Sequence, residues 1–136
     1  MRKSSGFTPR QTEIALHMST AAFLRRAWPE DLPWTHFPAG EVRDKATGGK
    51  LKQMGLAPGW PDFIFILPRG QCGFLELKAK GGTLSDAQIL FRDLAMAAGC
   101  GYAVCRSLDE VEETLSRWLG MFDRRLRATL GGRAAA

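Results

Sequence analysis

The sequence predicts an α/β domain in which helices pack on a mixed β-sheet. Three short apolar segments rich in aromatic and β-branched residues have the composition of strands. Three longer segments repeat apolar residues at helical spacing, and each begins with a capping motif. With one further short strand, the order along the chain is α-β-β-β-α-β-α. The 136 residues are enough for one such domain and too few for two separate cores.

The first helix is predicted to begin at Thr8 and to end before Pro29. Thr8 can act as the N-cap, Pro9 suits the first helical position, and Gln11 completes a capping box. Glu13 follows near the start of the helix, beside its apolar stripe. Helical spacing predicts that this stripe is the buried face, and it consists of Ile14, Met18, Ala21, Ala22 and Trp28.

A polar and basic connection separates this helix from the main strands. Residues 34–37 are typical of a short strand, and residues 50–54 of a helical turn that ends at Gly55. The polar stretch from Gly40 to Lys52 carries four basic side chains, Arg43, Lys45, Lys50 and Lys52.

The central segments predict an antiparallel hairpin with charged residues in its middle. Residues 62–67 and 74–79 have strand composition, and residues 68–73 have that of a turn. Glu76 and Lys78 are two apart on the second strand, so both project from the same face. Charged residues in an apolar hairpin depart from the expected alternation of apolar and polar residues. Such departures often occur at functional sites.

Asp62 opens the first strand of this hairpin and would lie near Glu76 if the two strands pair in register. Two adjacent carboxylates repel each other unless positive charge lies between them, and a hard divalent cation can supply it. A neighbouring lysine can stabilise or orient an anionic nucleophile. The alternative interpretation is a surface Glu-Lys pair next to an ordinary Pro-Asp turn.

The last third of the chain predicts a helix, a strand and a second helix. Ser85 and Gln88 form one capping box, residues 102–105 form the strand, and Ser107 and Glu110 form another capping box. The buried face predicted for the first of these helices consists of Leu90, Phe91, Leu94, Ala97 and Ala98. That predicted for the second consists of Val111, Leu115, Trp118 and Leu119.

Three motifs occur in a fixed order around the hairpin. They are Gly59-Trp60-Pro61-Asp62, Glu76-Leu77-Lys78 and Leu84-Ser85-Asp86-Ala87-Gln88. In this order and context the chain resembles the VRR-NUC branch of the PD-(D/E)xK nucleases, over about residues 8–119. The resemblance implies a restriction-endonuclease-like core and a metal-dependent phosphodiesterase activity.

The resemblance also implies roles for the residues of this chain that match the functional positions of the family motifs. Asp62 and Glu76 match the metal-binding acids, and Lys78 matches the catalytic lysine. Glu13 matches an additional acid that many members place next to the metal, with a solvated helix-dipole glutamate as the alternative. The carbonyl of Leu77 is a further candidate ligand. Gln88 matches a glutamine that faces the site, and it also suits simple capping.

The resemblance implies Mg²⁺ as the cofactor, with Mn²⁺ able to replace it, and no organic cofactor. The formal net charge of +5 and the pI of about 9.5 favour a polyanionic partner. The candidate DNA contacts are Arg43, Lys45, Lys50, Lys52 and Trp60, although a solvated basic loop and a packed tryptophan are the alternatives.

The predicted function is hydrolysis of DNA by a small endonuclease with structure specificity. Small members of the family resemble resolvases that cut four-way junctions as homodimers, and this step rests on that likeness. The alternatives are a non-catalytic nucleic-acid-binding module on the same fold, and a nuclease that acts on RNA or without structure preference.

The expected organisation is a flexible segment at residues 1–7, a nuclease domain at residues 8–120 and a basic extension at residues 121–136. No apolar run approaches the roughly 20 residues that cross a bilayer, and no secretory segment follows Met1. We therefore expect no membrane partner and a cytoplasmic protein, from a bacterium or from a phage in its host. The three cysteines are expected to be unbridged thiols.

Overall fold

A four-stranded sheet with helices on both faces forms the protein, as the sequence predicts. The computed structural model describes residues 8–38 and 45–134, except the side chains of residues 10, 11, 45 and 122–134. The elements are α1 (Pro9–Ala27), β1 (Trp34–His36), α2 (Lys45–Gln53), β2 (Phe63–Leu67), β3 (Gln71–Leu77), α3 (Asp86–Ala97), β4 (Gly101–Cys105) and α4 (Leu108–Ala134). The predicted segment at residues 1–7 and the side chain of Gln11 lie outside the described residues.

The sheet is mixed, with the strand order β1-β2-β3-β4. β1 and β2 pair antiparallel, β2 and β3 form the predicted antiparallel hairpin, and β3 and β4 run parallel. A single 3₁₀ turn, Pro68–Gly70, closes the hairpin, and Arg69 within it has a φ of 66°. Because Phe63 pairs with Leu75, the residues just beyond them, Asp62 and Glu76, come together at the other end of the hairpin.

The larger core lies between the sheet and helices α1 and α4. Alternation along the strands places the largest apolar side chains on this face. Trp118 of α4 packs against Phe65 and over the glycines of β3 and β4, where a Cβ atom on Gly73 would collide with its ring. The core residues include Leu24, Trp28, Phe63, Phe65, Leu67, Leu75, Leu77, Val111, Leu115 and Trp118.

Helix α3 covers the opposite face of the sheet, which carries Glu76. Its Phe91 contacts Phe74 of β3 with ring centroids 5.0 Å apart, and Tyr102 of β4 at 6.2 Å. Ala95 is the buried residue of this helix. The two helical layers therefore enclose the sheet, and the charged part of β3 lies under the beginning of α3.

The predicted buried faces of α1 and α3 are partly wrong. In α1, Ile14, Met18 and Ala22 are exposed, and the inward stripe is formed by Leu16, His17, Thr20, Ala21, Leu24 and Trp28. In α3, Leu90, Leu94, Ala97 and Ala98 are exposed, whereas Phe91 and Ala95 face the sheet. Compared with the predicted faces, both observed inward faces include polar residues. These are Glu13 and His17 in α1, and Gln88 in α3.

The predicted strands agree with the structure within a few residues, whereas the last helix, α4, continues to Ala134, through most of the segment expected as a basic extension at residues 121–136. The helical turn expected at residues 50–54 is part of the longer helix α2, which adds a helix to the predicted order. The apolar face of α4 is buried as predicted. The three cysteines are free. None of the helices in the described part of the chain is long and apolar enough to span a membrane.

Candidate active site

Asp62 is held by its backbone and its carboxylate at the start of the central hairpin. Its carbonyl oxygen accepts a hydrogen bond from the N–H of Phe37 at 2.8 Å, and lies 2.8 Å from Nδ1 of His36. Oδ2 of its carboxylate accepts a hydrogen bond from the N–H of Leu77 at 2.7 Å. The Asp62 side chain is therefore fixed across the end of the hairpin, directly beside Glu76.

Glu76 is a charged residue in a buried position, with only 3 % of its surface exposed. Its Oε1 accepts a hydrogen bond from Nε2 of Gln88 at 3.0 Å and lies 3.6 Å from Nζ of Lys78. Burial raises the pKa of Glu76 from 4.5 to about 8, and the negative charges of Asp62 and Glu13 add to the rise, while Lys78 opposes it. Positive charge near this carboxylate is therefore insufficient to keep it ionised at neutral pH.

Lys78 lies one residue beyond the end of β3, on the same face of the sheet as Glu76. Its backbone N–H donates a hydrogen bond to the carbonyl oxygen of Cys105 at 3.0 Å, which extends the pairing with β4 by one step. The side chain of Lys78 is 16 % exposed, and its Nζ lies 3.6 Å from Oε1 of Glu76. The predicted carboxylate and lysine thus share one small region of the surface.

Gln88 reaches this region from the first turn of α3. Oε1 of its amide accepts a hydrogen bond from the N–H of Ser85 at 2.9 Å, and its own N–H donates to Oγ of Ser85 at 3.2 Å. The predicted capping box is therefore present. Nε2 of Gln88 also contacts Glu76, so the same side chain caps α3 and lies at the candidate site.

Glu13 lies on the inward side of α1, one turn before His17. The ring of His17 packs 4.5 Å from that of Phe63 and 4.3 Å from that of His36, measured between ring centroids. Electrostatic repulsion from the negative charge of Glu13 contributes to the raised pKa of Glu76. Within residues 8–38 and 45–134, however, no three His, Cys, Asp or Glu side chains form a metal-binding cluster.

The structure describes the side chains of three of the five residues predicted to contact DNA. Trp60 packs against Phe91 at 4.8 Å, Phe37 at 5.7 Å and Phe74 at 6.0 Å between ring centroids, which leaves it 38 % exposed. Lys50 and Lys52 are exposed in the last turn of α2. Arg43 and the side chain of Lys45 lie outside the described residues.

Two residues near the site were not predicted from the sequence. The hydroxyl group of Tyr102 is buried without a hydrogen-bond partner among the described residues, and its pKa is raised to about 12 by burial and by the charge of Glu76. His36 contacts the backbone of Asp62. Strand alternation could have placed Tyr102 on the face of Glu76, but no motif marks either residue.

In a comparison with family models, the chain matches the VRR-NUC domain over residues 34–109. This range is more than half of the chain, and it contains Asp62, Glu76, Lys78 and Gln88. No curated protein sequence and no solved structure shows a significant match to the chain.

Proposed function

The chain belongs to the VRR-NUC domain family, and on this basis we propose that it is a metal-dependent endonuclease that hydrolyses phosphodiester bonds in DNA. The observation that carries the proposal is the set of charges at the open end of the hairpin. Asp62, the buried Glu76 and Lys78 lie together, and burial of the Glu76 carboxylate is unfavourable unless opposite charge or hydrogen bonds offset it.

The chemistry of these donors fits a hard divalent cation. Burial and neighbouring carboxylates raise the pKa of Glu76 to about 8, and a bound cation would relieve both effects. Asp62 and Glu76 would hold the ion, with Glu13 and the carbonyl of Leu77 as further candidates. Bound Mg²⁺, or Mn²⁺ in its place, would supply a Lewis acid that lowers the pKa of a water molecule.

The remaining roles belong to side chains of the chain itself. The ammonium group of Lys78 lies 3.6 Å from the Glu76 carboxylate, and its proposed role is to orient a water molecule and to offset negative charge that develops on a phosphate group. Gln88 donates to Glu76 and thereby restricts the rotation of this carboxylate. Exposed Lys50 and Lys52, together with Arg43 and Lys45, are proposed to contact the DNA backbone, and the exposed edge of Trp60 to contact DNA.

We further propose that the preferred substrate is branched DNA, such as a four-way junction, and that the protein acts on it as a homodimer. The likeness to small members of the family supports this proposal. A four-way junction is nearly two-fold symmetric, so two sites related by a dimer axis would match the two strands to be cut.

The decisive experiment incubates the protein with supercoiled plasmid, a four-way junction and RNA, each with Mg²⁺ or with EDTA. We expect the protein to cleave DNA in the presence of Mg²⁺ and not in the presence of EDTA. The matched control is Asp62→Asn, because the amide oxygen of Asn can still accept the hydrogen bond from Leu77 while the negative charge is lost. This variant should keep its melting temperature within a few degrees and lose cleavage.

Each other outcome has a definite meaning. Binding to DNA without cleavage by the wild type would favour the non-catalytic binding module, and cleavage of RNA alone would identify a ribonuclease. Cleavage in EDTA, or unchanged cleavage by Asp62→Asn, would contradict the proposed site.

A further inference from the structure

The first turn of α3 connects a helix cap to the buried carboxylate of β3. In the capping box, the backbone N–H of Ser85 donates to Oε1 of Gln88 at 2.9 Å, and Oγ of Ser85 accepts from the N–H of Gln88 at 3.2 Å. The other end of the same amide donates from Nε2 to Oε1 of Glu76 at 3.0 Å. The Gln88 side chain is thus held at both ends.

The two ends of a side-chain amide are chemically different, since one only accepts and the other only donates hydrogen bonds. The N–H of Ser85 requires the oxygen at its own end, and this directs the NH₂ group towards Glu76. An amide turned by 180° would lose the bond to Ser85 and place its oxygen against the oxygen of Glu76. The cap therefore selects the amide orientation that supports the carboxylate.

We propose that Ser85 is a positioning residue, which acts through Gln88 to hold the Glu76 carboxylate in the orientation needed to bind a divalent cation. The inference rests on the proposed function and adds a residue to it. Oγ of Ser85 accepts from the backbone N–H of Gln88 and thereby fixes the first turn of α3. In that turn the backbone N–H of residue 85 meets Oε1 of Gln88, so the effect of the serine side chain reaches the Gln88 amide through the backbone that it holds in place. Groups that orient metal ligands in this way typically contribute about 10–100-fold in metal affinity or activity.

The protein contains a matched control for the loss of a cap. At the start of α4, Oγ of Ser107 accepts a hydrogen bond from the N–H of Glu110 at 3.2 Å, as Ser85 does for Gln88. The Glu110 side chain accepts from the N–H of Arg106 at 2.6 Å and takes no part in the candidate site. Ser85→Ala and Ser107→Ala therefore remove similar caps, and only the first is connected to Glu76.

The experiment measures Mn²⁺ affinity by calorimetry and single-turnover cleavage for these two variants, for Ser85→Thr and for Gln88→Ala. We expect similar melting temperatures for Ser85→Ala and Ser107→Ala. Ser85→Ala should weaken Mn²⁺ binding about 3–10-fold, and Gln88→Ala about 10–100-fold. Ser107→Ala should leave Mn²⁺ binding unchanged, and Ser85→Thr should retain it because Thr is also an N-cap residue.

A double-mutant cycle tests whether the effect passes through Gln88. Ser85→Ala added to Gln88→Ala should weaken Mn²⁺ binding no further. Full additivity of the two effects, or an equal loss in Ser107→Ala, would overturn the proposal, as would an unchanged Mn²⁺ affinity in Ser85→Ala.

The proposal is also testable if the wild-type protein neither binds Mn²⁺ nor cleaves DNA, a result that would refute the proposed function. Hydrogen exchange of the Gln88 side-chain amide protons, followed by NMR on the metal-free protein, reports whether Nε2 stays hydrogen-bonded to Glu76. We expect protection in the wild type and Ser107→Ala, and faster exchange in Ser85→Ala. Equal protection in all three would overturn the role of Ser85 independently of metal binding.

Discussion

At the scale of single residues, Glu76 is a buried carboxylate whose charge is only partly offset by its neighbours. It is buried and adjacent to Asp62, and the charge of Glu13 reaches it, whereas Lys78 and Gln88 offset only part of this negative charge. A carboxylate in such surroundings favours its protonated form unless a cation binds. The stability of the metal-free protein should therefore depend on pH in a characteristic way.

Glu76 should make the metal-free protein less stable as pH rises from about 4.5 to about 8. In the folded protein Glu76 keeps its proton up to about pH 8, but in the unfolded chain it ionises near its ordinary pKa of 4.5. Folding then takes up a proton in this window, so the free energy of unfolding falls by roughly 1.4 kcal/mol per pH unit from this group. The measurement is urea unfolding in EDTA at several pH values.

The control for this pH effect is Glu76→Gln, which is neutral at every pH. The difference in free energy of unfolding between wild type and variant should change across the window from pH 4.5 to 8, with the variant relatively more stable at high pH. Two parallel curves would contradict the assigned pKa.

Lys78 should be needed for cleavage but not for metal binding. Lys78→Ala removes a charge from the site without removing a metal-binding oxygen, so we expect cleavage to fall at least ~10²–10³-fold while Mn²⁺ affinity changes little. Lys78→Arg should restore little activity, because a planar guanidinium cannot replace a compact ammonium group. Single-turnover cleavage and calorimetry on both variants test this, and near-wild-type cleavage by Lys78→Ala would refute the role.

At the scale of elements, the helices show where sequence patterns succeed and where they fail. The capping motifs located the starts of α3 and α4, because a cap is a local interaction that short spacing reveals. At α4 only the serine half of the predicted capping box forms, since the Glu110 side chain accepts from the N–H of Arg106 and not from that of Ser107. The inward faces of α1 and α3 were mispredicted in part, because apolar periodicity cannot recognise a helix that turns Glu13 or Gln88 inwards and leaves Met18 or Leu94 in solvent. The inward face of α1 contributes both to the core, through Leu24, and to the candidate site, through Glu13.

The loop before β2 is fitted closely against the start of α3. Gly59 has a φ of 88°, and a Cβ atom built on it would overlap the carbonyl oxygen of Ala87. The absence of a side chain at Gly59 therefore lets the segment that carries Asp62 and the helix that carries Gln88 approach each other.

Gly59→Ala should destabilise the protein and disturb the site. The matched control is Gly55→Ala, since Gly55 also has a positive φ, 103°, but has open space around its Cβ position. Both variants bear the cost of a left-handed conformation, and Gly59→Ala should lose roughly 1–3 kcal/mol more through overlap with α3. Thermal unfolding measures this difference, and equal losses would show that the close approach is unimportant.

At the scale of the whole molecule, the hairpin explains why so much of the site was predictable. Asp62, Glu76, Lys78 and Gln88 lie within 27 consecutive residues. Strand alternation and one hairpin register bring the first three together, and the first turn of α3 adds Gln88. Glu13 is remote in sequence, and only the resemblance to the family pointed to it. The environment of Tyr102 depends on the parallel pairing of β3 with β4, which local patterns do not reveal.

The proposed dimer should be evident from mass and from substrate preference. If four-way junctions are the natural substrate, light scattering at micromolar concentration should give twice the 15.0 kDa mass of one chain. Asp62→Asn should bind a junction more tightly than a linear duplex of the same length. A monomer without junction preference would contradict the resolvase proposal and leave the nuclease proposal intact.

The turn Pro68–Gly70 lies at the end of the hairpin opposite to Asp62 and Glu76. Five residues of β2, at about 3.3 Å each, separate it from the carboxylates by roughly 17 Å. Arg69 and Gly70 are exposed there, and exposed loop tips tolerate insertions best. A fluorophore or an immobilisation tag inserted between these two residues would therefore report on DNA binding, or anchor the protein to a surface, without obstructing the chemistry at the far end of the hairpin.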